Sequence, residues 1–223
     1  MISTAGHIKK YHAFCATFFE NMHLRGTKDA TIQEFINEVE KEASNIQDED
    51  VRKTFKGDML EILSEVFFSL NKTNPAVGLK DYKAVCIEED YGVDATGTNA
   101  NNNDCAVQVK YRHNPKDSIL YSEIARTYAS GRLQLNLSLD TANSIYIFTT
   151  AYEVTTACQA VFGDIIRVIN RNIIESQVNN NTIFWEEAFK AVLDVLYQPD
   201  PIPVKKVIPT CPPGLSQLLF GKP

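Results

Sequence analysis

Residues 91–112 read YGVDATGTNANNNDCAVQVKYR, and this stretch sets the character of the fold. A polar, asparagine-rich loop separates two strand-like runs. In the second run, valine and tyrosine residues alternate with Gln108, Lys110 and Arg112. Successive side chains of a strand point to opposite faces of a sheet, so one set is predicted to be buried while the other shares a face. The stretch therefore predicts a strand that presents an amide and two cations together.

Helical and strand-like patterns alternate on both sides of this stretch. Thr31 and Glu34 fit a helix capping box, and apolar residues follow them at helical spacing. Helices are predicted within residues 1–50 and at 58–70, 118–133, 155–171 and 184–196, and strands at 84–88, 93–96, 104–112 and 145–149. The apolar run 145–149 is typical of a strand covered on both faces. This order predicts an α/β fold with a central mixed sheet flanked by helices.

Composition divides the chain into three parts. Residues 1–54 are predicted to form a helical N-terminal extension, and residues 55–197 an α/β core. Residues 198–223 hold seven of the nine prolines, and a segment of that composition cannot build helix or sheet of its own. We expect this tail to be a peripheral wrap, a disordered segment or an arm for a protein partner.

The net charge of −6 and the pI near 5.3 exclude a protein that coats nucleic acid by bulk attraction. The charge is uneven, however. Residues 29–65 hold eleven acidic and four basic side chains, whereas residues 108–132 hold five basic and two acidic ones. Local contact with a polyanion is therefore predicted near the strand that carries Lys110.

The cysteine pattern and the length of the apolar runs bear on the cellular compartment in which the protein is expected. None of the five cysteines forms a CxxC pair, so buried thiols are expected rather than disulfides or a zinc site. His7, His12, Cys15 and His23 do not share one helix face, which also disfavours a metal cluster among them. No apolar run approaches the roughly 20 residues that span a bilayer. We expect a cytoplasmic protein without a membrane partner.

Asp94, just after a glycine turn, and the strand of Gln108 to Lys110 together suggest phosphodiester hydrolysis. That reaction needs an activated water and relief of charge on the phosphate, which a divalent cation supplies. Mg²⁺ prefers oxygen ligands and keeps several waters. The Asp94 carboxylate, the Gln108 side-chain carbonyl and the Val109 backbone carbonyl could hold the ion. Lys110 would then stabilise charge on the phosphate.

These residues resemble the PD-(D/E)xK nuclease superfamily. Asp94 in GVDATG, followed by QVK at 108–110, is similar to its Mrr-like restriction endonuclease branch, in which Gln replaces the acid before the Lys. Residues 57–68, GDMLEILSEVFF, resemble the first helix of the family, which carries a further acid. Residues 145–160, IYIFTTAYEVTTACQA, resemble its buried strand ending in Thr-Thr. The resemblance covers roughly residues 55–175.

The resemblance implies a restriction-endonuclease-like core and specific roles for site residues. Asp94 would bind the metal, Gln108 would be the second ligand and Lys110 the catalytic lysine. The helix acid would be Glu61 by register, with Glu65, one turn later, as the alternative. The implied cofactor is Mg²⁺, with Mn²⁺ as a substitute.

The function that follows is a metal-dependent DNA endonuclease. A homodimer is expected, because cutting both strands calls for two sites. A structure-specific nuclease of the junction-resolvase kind is an alternative, as is a degenerate nuclease kept as a DNA-binding or assembly module. The candidates for DNA contacts, with surface solubility as the competing explanation, are Arg112, Lys116, Arg126 and Arg132.

Overall fold

The computed structural model describes residues 3–85 and 92–197. Most of the strand predicted at 84–88 and the whole proline-rich tail lie outside the described residues. Among the residues that are described, no helix is long and apolar enough to cross a membrane. Cys15, Cys105 and Cys158 are buried free thiols, as the sequence predicted for them.

Five strands form one mixed sheet, which confirms the α/β fold with flanking helices. They lie in chain order, the first three antiparallel and the last three parallel, so that β3 joins the two halves. The strands are β1 (Leu79–Ala84), β2 (Ala95–Asn99), β3 (Asp104–Lys110), β4 (Ile145–Thr149) and β5 (Ile166–Ile169). The strand that carries Gln108 and Lys110 is therefore central and is fixed on both edges.

Eight helices surround the described sheet. They are α1 (Ala5–Lys10), α2 (His12–Asp29), α3 (Ile32–Ala43), α4 (Glu49–Leu70), α5 (Tyr121–Leu133), α6 (Thr156–Phe162), α7 (Arg171–Val178) and α8 (Thr182–Leu196). As predicted, Thr31 caps α3 by accepting a hydrogen bond from the Glu34 backbone N–H at 3.1 Å. The Trp185 indole N–H donates to the carbonyls of Ala30 and Val178, and so ties α8 to the end of α2.

Several predicted elements differ from the structure. The strand predicted at 84–88 overlaps β1 only at Ala84, β2 lies two to three residues later than predicted, and α7 had no predicted counterpart. The helix predicted over 155–171 is wrong in its second half, because residues 166–169 form strand β5 beside β4. The β-branched side chains of Ile166, Val168 and Ile169 suit a strand. Helix α4 begins at Glu49 rather than near residue 58, since the Asp48 carboxylate caps it by accepting from the N–H groups of Asp50 and Val51.

The N-terminal helices share a core with the sheet. One continuous cluster of buried side chains runs from Phe19 and Phe35 through Phe67 to Phe148 and Trp185. The boundary drawn at residue 54 falls inside the continuous helix α4. The extension therefore packs directly on the elements that carry the candidate site.

Candidate active site

A cavity of about 620 Å³ opens where β3 ends, between α1, α4 and α5. The residues that line it come from separate parts of the chain, and many of their side chains are polar or charged. The ionisable and amide side chains among its lining residues are His7, Asp58, Glu61, Asp94, Gln108, Lys110, Glu123 and Arg126. All four predicted catalytic residues, Asp94, Gln108, Lys110 and Glu61, line this cavity.

Asp94 is held rigidly at the start of β2. Its backbone N–H donates to the Val107 carbonyl, and its own carbonyl accepts from Val85, both at 2.9 Å. The carboxylate Oδ2 accepts hydrogen bonds from the Val109 N–H at 2.6 Å and from the Gln108 side-chain amide. Burial raises the pKa of Asp94 to about 7, and the Glu61 charge adds to the effect against the opposing influence of Val109, Lys110 and Gln108. The site therefore disfavours the charged form of Asp94 beside the Glu61 charge.

Glycine is required two residues before Asp94. Gly92 has a φ of +76°, and a Cβ there would lie 2.8 Å from the Arg126 Nε. The left-handed backbone of the turn that delivers Asp94 therefore favours glycine, and a Cβ there would also displace the Arg126 side chain. This is the structural basis of the GVD pattern in the sequence.

Gln108 faces Asp94 with its amide nitrogen rather than its carbonyl oxygen. Its Nε2 donates to Asp94 Oδ2, and its Oε1 accepts a 2.9 Å hydrogen bond from the buried Thr127 hydroxyl. A carbonyl oxygen in that position would repel the carboxylate. The expected oxygen ligand is therefore turned away from Asp94 in this conformation.

The Thr127 hydroxyl permits the opposite amide orientation. It also lies 3.1 Å from the Glu123 backbone carbonyl, a second acceptor for its proton. If the amide turned over, the hydroxyl could accept from Gln108 Nε2 and donate to that carbonyl, whereas Gln108 Oε1 and Asp94 Oδ2 would face each other without a donor between them. Gln108 Oε1 would then point toward Asp94.

The end of β3 is anchored by the Thr-Thr pair that follows β4. The Thr149 hydroxyl donates to the Lys110 carbonyl at 2.8 Å. The Thr150 hydroxyl donates to the Arg112 carbonyl at 2.8 Å and accepts from the Arg112 N–H at 2.6 Å. These bonds fix the backbone that carries the half-buried Lys110 beside the cavity.

Glu61 and Glu65, the two candidate helix acids, have different surroundings. Glu61 lines the cavity, and its Oε2 accepts from the His7 Nε2 at 3.1 Å. Glu65 is buried and accepts from the N–H and hydroxyl groups of both Ser3 and Thr4 at 2.5–2.7 Å. Because both of its oxygens are engaged at the start of α1, Glu65 serves that helix rather than the cavity.

His7 was not predicted as a site residue. Its Nε2 bonds Glu61, and its buried Nδ1 lies 3.5 Å from an Asp58 oxygen, too far for a hydrogen bond. Burial lowers the pKa of His7, but the two neighbouring carboxylates, Asp58 and Glu61, outweigh it and raise that pKa to about 9. One ligand atom from each of these three residues lies within 4.8 Å of the others.

The four residues predicted to contact DNA have different surroundings. Arg112 donates to both carboxylate oxygens of Glu123, and Arg132 pairs with Asp140. Lys116 is exposed, and Arg126 is exposed at the cavity wall beside Gly92. Of the four, Arg126 is the one that lines the cavity.

The chain was compared with protein-family profiles, curated proteins and solved structures. No protein-family profile and no curated protein matches this chain. Among solved structures, one similar chain is in the MspJI restriction endonuclease in complex with a 27-mer oligonucleotide, at 16% identity and a TM-score of 0.39. The match covers 60% of this chain and 31% of that one, so this chain spans about a third of its length. The likeness concerns the outline of the fold.

Proposed function

We propose that this protein is a metal-dependent DNA endonuclease that hydrolyses phosphodiester bonds in the manner of the PD-(D/E)xK nucleases. One observation carries the proposal. Asp94, Gln108, Lys110 and Glu61, named from sequence order alone, line a single cavity although they come from α4, the β2 turn and β3. Packing alone gives no reason for two carboxylates, an amide and an ammonium group to meet there.

The donor set fits a hard divalent cation such as Mg²⁺ or Mn²⁺. Asp94 and Glu61 offer carboxylate oxygens in the same cavity; burial and, after it, the Glu61 charge raise the pKa of Asp94, and a bound cation would favour its charged form. Gln108, once its amide has turned, and the Val109 carbonyl are further oxygen donors. The ion would supply an activated water and would neutralise phosphate charge.

Cationic side chains would stabilise charge on the scissile phosphate and contact the DNA backbone. Lys110 lies on the cavity wall next to the carboxylates, where an ammonium group can stabilise charge that builds on the phosphate. Arg126, exposed at the same cavity, is placed to contact a flanking phosphate of the backbone. Arg112, which is paired with Glu123, orders the strand end instead.

The first test is DNA cleavage by the purified 223-residue chain. Supercoiled plasmid, a linear duplex, a single strand and a synthetic four-way junction are incubated with Mg²⁺, with Mn²⁺ or with EDTA, and the products are resolved on gels. We expect duplex cleavage with either ion and none with EDTA, because the carboxylates alone cannot activate water.

The same gels separate the alternatives. Cleavage of the junction alone would indicate a resolvase-like enzyme. Linear plasmid as the first product would support paired sites in a homodimer, whereas nicked plasmid would indicate sites that act singly. If no substrate is cut with either ion, the enzyme proposal is wrong and a DNA-binding or assembly module remains.

A further inference from the structure

We infer that α1 contributes to the candidate site, because its His7 is a positioning residue for Glu61. The inference rests on the proposed function, since it concerns an acid proposed to bind metal. It gives the N-terminal extension, which the resemblance to nucleases leaves unexplained, a role in the chemistry.

The polar face of α4 forms an acidic stripe, which we define as Asp58, Glu61 and Glu65. These residues are spaced three and four apart, so they lie on one side of the helix. α1 runs antiparallel along this stripe and meets each acid in turn. Ser3 and Thr4 donate to Glu65, His7 contacts Glu61, and Lys10 and Tyr11 donate to Asp58 at 2.9 and 2.7 Å.

The contact with His7 restricts the conformation of Glu61, the helix acid that lines the cavity. The Glu61 side chain is 20% exposed, whereas that of His7 is 6% exposed and therefore held by its surroundings. A glutamate without such a partner samples several rotamers, and binding a cation would have to order it. With Oε2 bonded to the fixed imidazole, the Glu61 carboxylate is already directed into the cavity.

The Nε2 atom of His7 is engaged in positioning Glu61. Its Nε2 faces a carboxylate oxygen at 3.1 Å and must donate a proton to it, so that nitrogen has no lone pair for an ion. On its other side lies Asp58, whose Oδ2 already accepts from Lys10 and Tyr11. Partners that orient metal-bound groups in this way typically change metal affinity by about 10–100-fold when they are removed.

The test measures Mn²⁺ affinity of the full chain without DNA, by titration calorimetry and by EPR of the free ion. We expect His7→Ala and the bulkier His7→Leu to bind Mn²⁺ about 10–100-fold more weakly than wild type. His7→Gln should recover most of the affinity, because its amide N–H can still donate to Glu61. His12→Ala, at an exposed histidine five residues along, is the matched control and should bind as wild type does.

The outcomes are distinct. Thermal denaturation identifies variants that are folded, and His7→Leu keeps the comparison valid if the alanine variant unfolds. Wild-type affinity in the folded alanine or leucine variant would overturn the role of His7. Pulsed EPR showing nitrogen bound to Mn²⁺ in wild type but not in His7→Gln would overturn it too, because His7 would then be a ligand. If wild type binds no Mn²⁺ at all, the proposed function itself fails, and this role with it.

Discussion

Replacing Lys110 with alanine is expected to lower the rate of Mg²⁺-dependent DNA cleavage by at least about 10²–10³-fold. Lys110 lines the same cavity as Asp94 and Glu61, where its ammonium group can oppose charge that develops on the phosphate. Its effect is large because the cavity is partly shielded from water, which strengthens electrostatic interactions. The rate is measured on plasmid DNA at saturating Mg²⁺.

The control is Lys72→Ala, which removes an exposed lysine outside the cavity wall and should leave the rate unchanged. DNA binding, measured by fluorescence anisotropy with Ca²⁺ in place of Mg²⁺, should change little in Lys110→Ala. Cleavage by Lys110→Ala at the wild-type rate would show that Lys110 takes no part in the reaction.

Replacing Glu65 with alanine is expected to lower the free energy of unfolding by roughly 2–4 kcal/mol, because hydrogen bonds to a buried charge are among the stronger ones. The carboxylate accepts four hydrogen bonds from Ser3 and Thr4 at the start of α1. Its loss leaves those donors without partners and loosens the whole helix. Urea denaturation followed by circular dichroism measures the change.

Two comparisons make this result specific. Glu20→Ala, at an exposed position of α2, should change stability by no more than about 0.5 kcal/mol. Glu61→Gln should keep most of the stability while losing cleavage, since Glu61 faces the cavity. A Glu65→Ala protein as stable as wild type would contradict the structural role assigned to this acid.

The centre of the sheet was predictable because β3 and β4 carry local signals, whereas β1 was predicted too late in the chain, at 84–88 instead of 79–84. The alternation in VQVKYR located β3, and the apolar run IYIFT gave the bounds of β4, which is buried on both faces. β5 was missed because residues 166–169 continue a helix-like pattern, and only their position beside β4 makes them a strand. The start of α4 was missed because its cap, Asp48, lies within a run of acidic residues.

The site was predictable where its residues are neighbours in the sheet. Asp94, Gln108 and Lys110 belong to one antiparallel pair and its turn, so their sequence pattern placed them together. His7 is 54 residues from Glu61, and their contact depends on how α1 packs on α4. Register alone could not choose between Glu61 and Glu65, because the choice depends on which acid the start of α1 occupies. The orientation of the Gln108 amide likewise depends on Thr127, from another element.

In the proposed function, a divalent cation lies between Asp94 and Glu61 in this cavity. The most direct measurement is anomalous diffraction from a crystal of the full chain grown with Mn²⁺. We expect a strong anomalous peak about 2 Å from carboxylate oxygens of both Asp94 and Glu61, with the Gln108 amide turned so that Oε1 faces the ion. A crystal at saturating Mn²⁺ with no peak in this cavity, or with the ion bound only elsewhere, would contradict the claim.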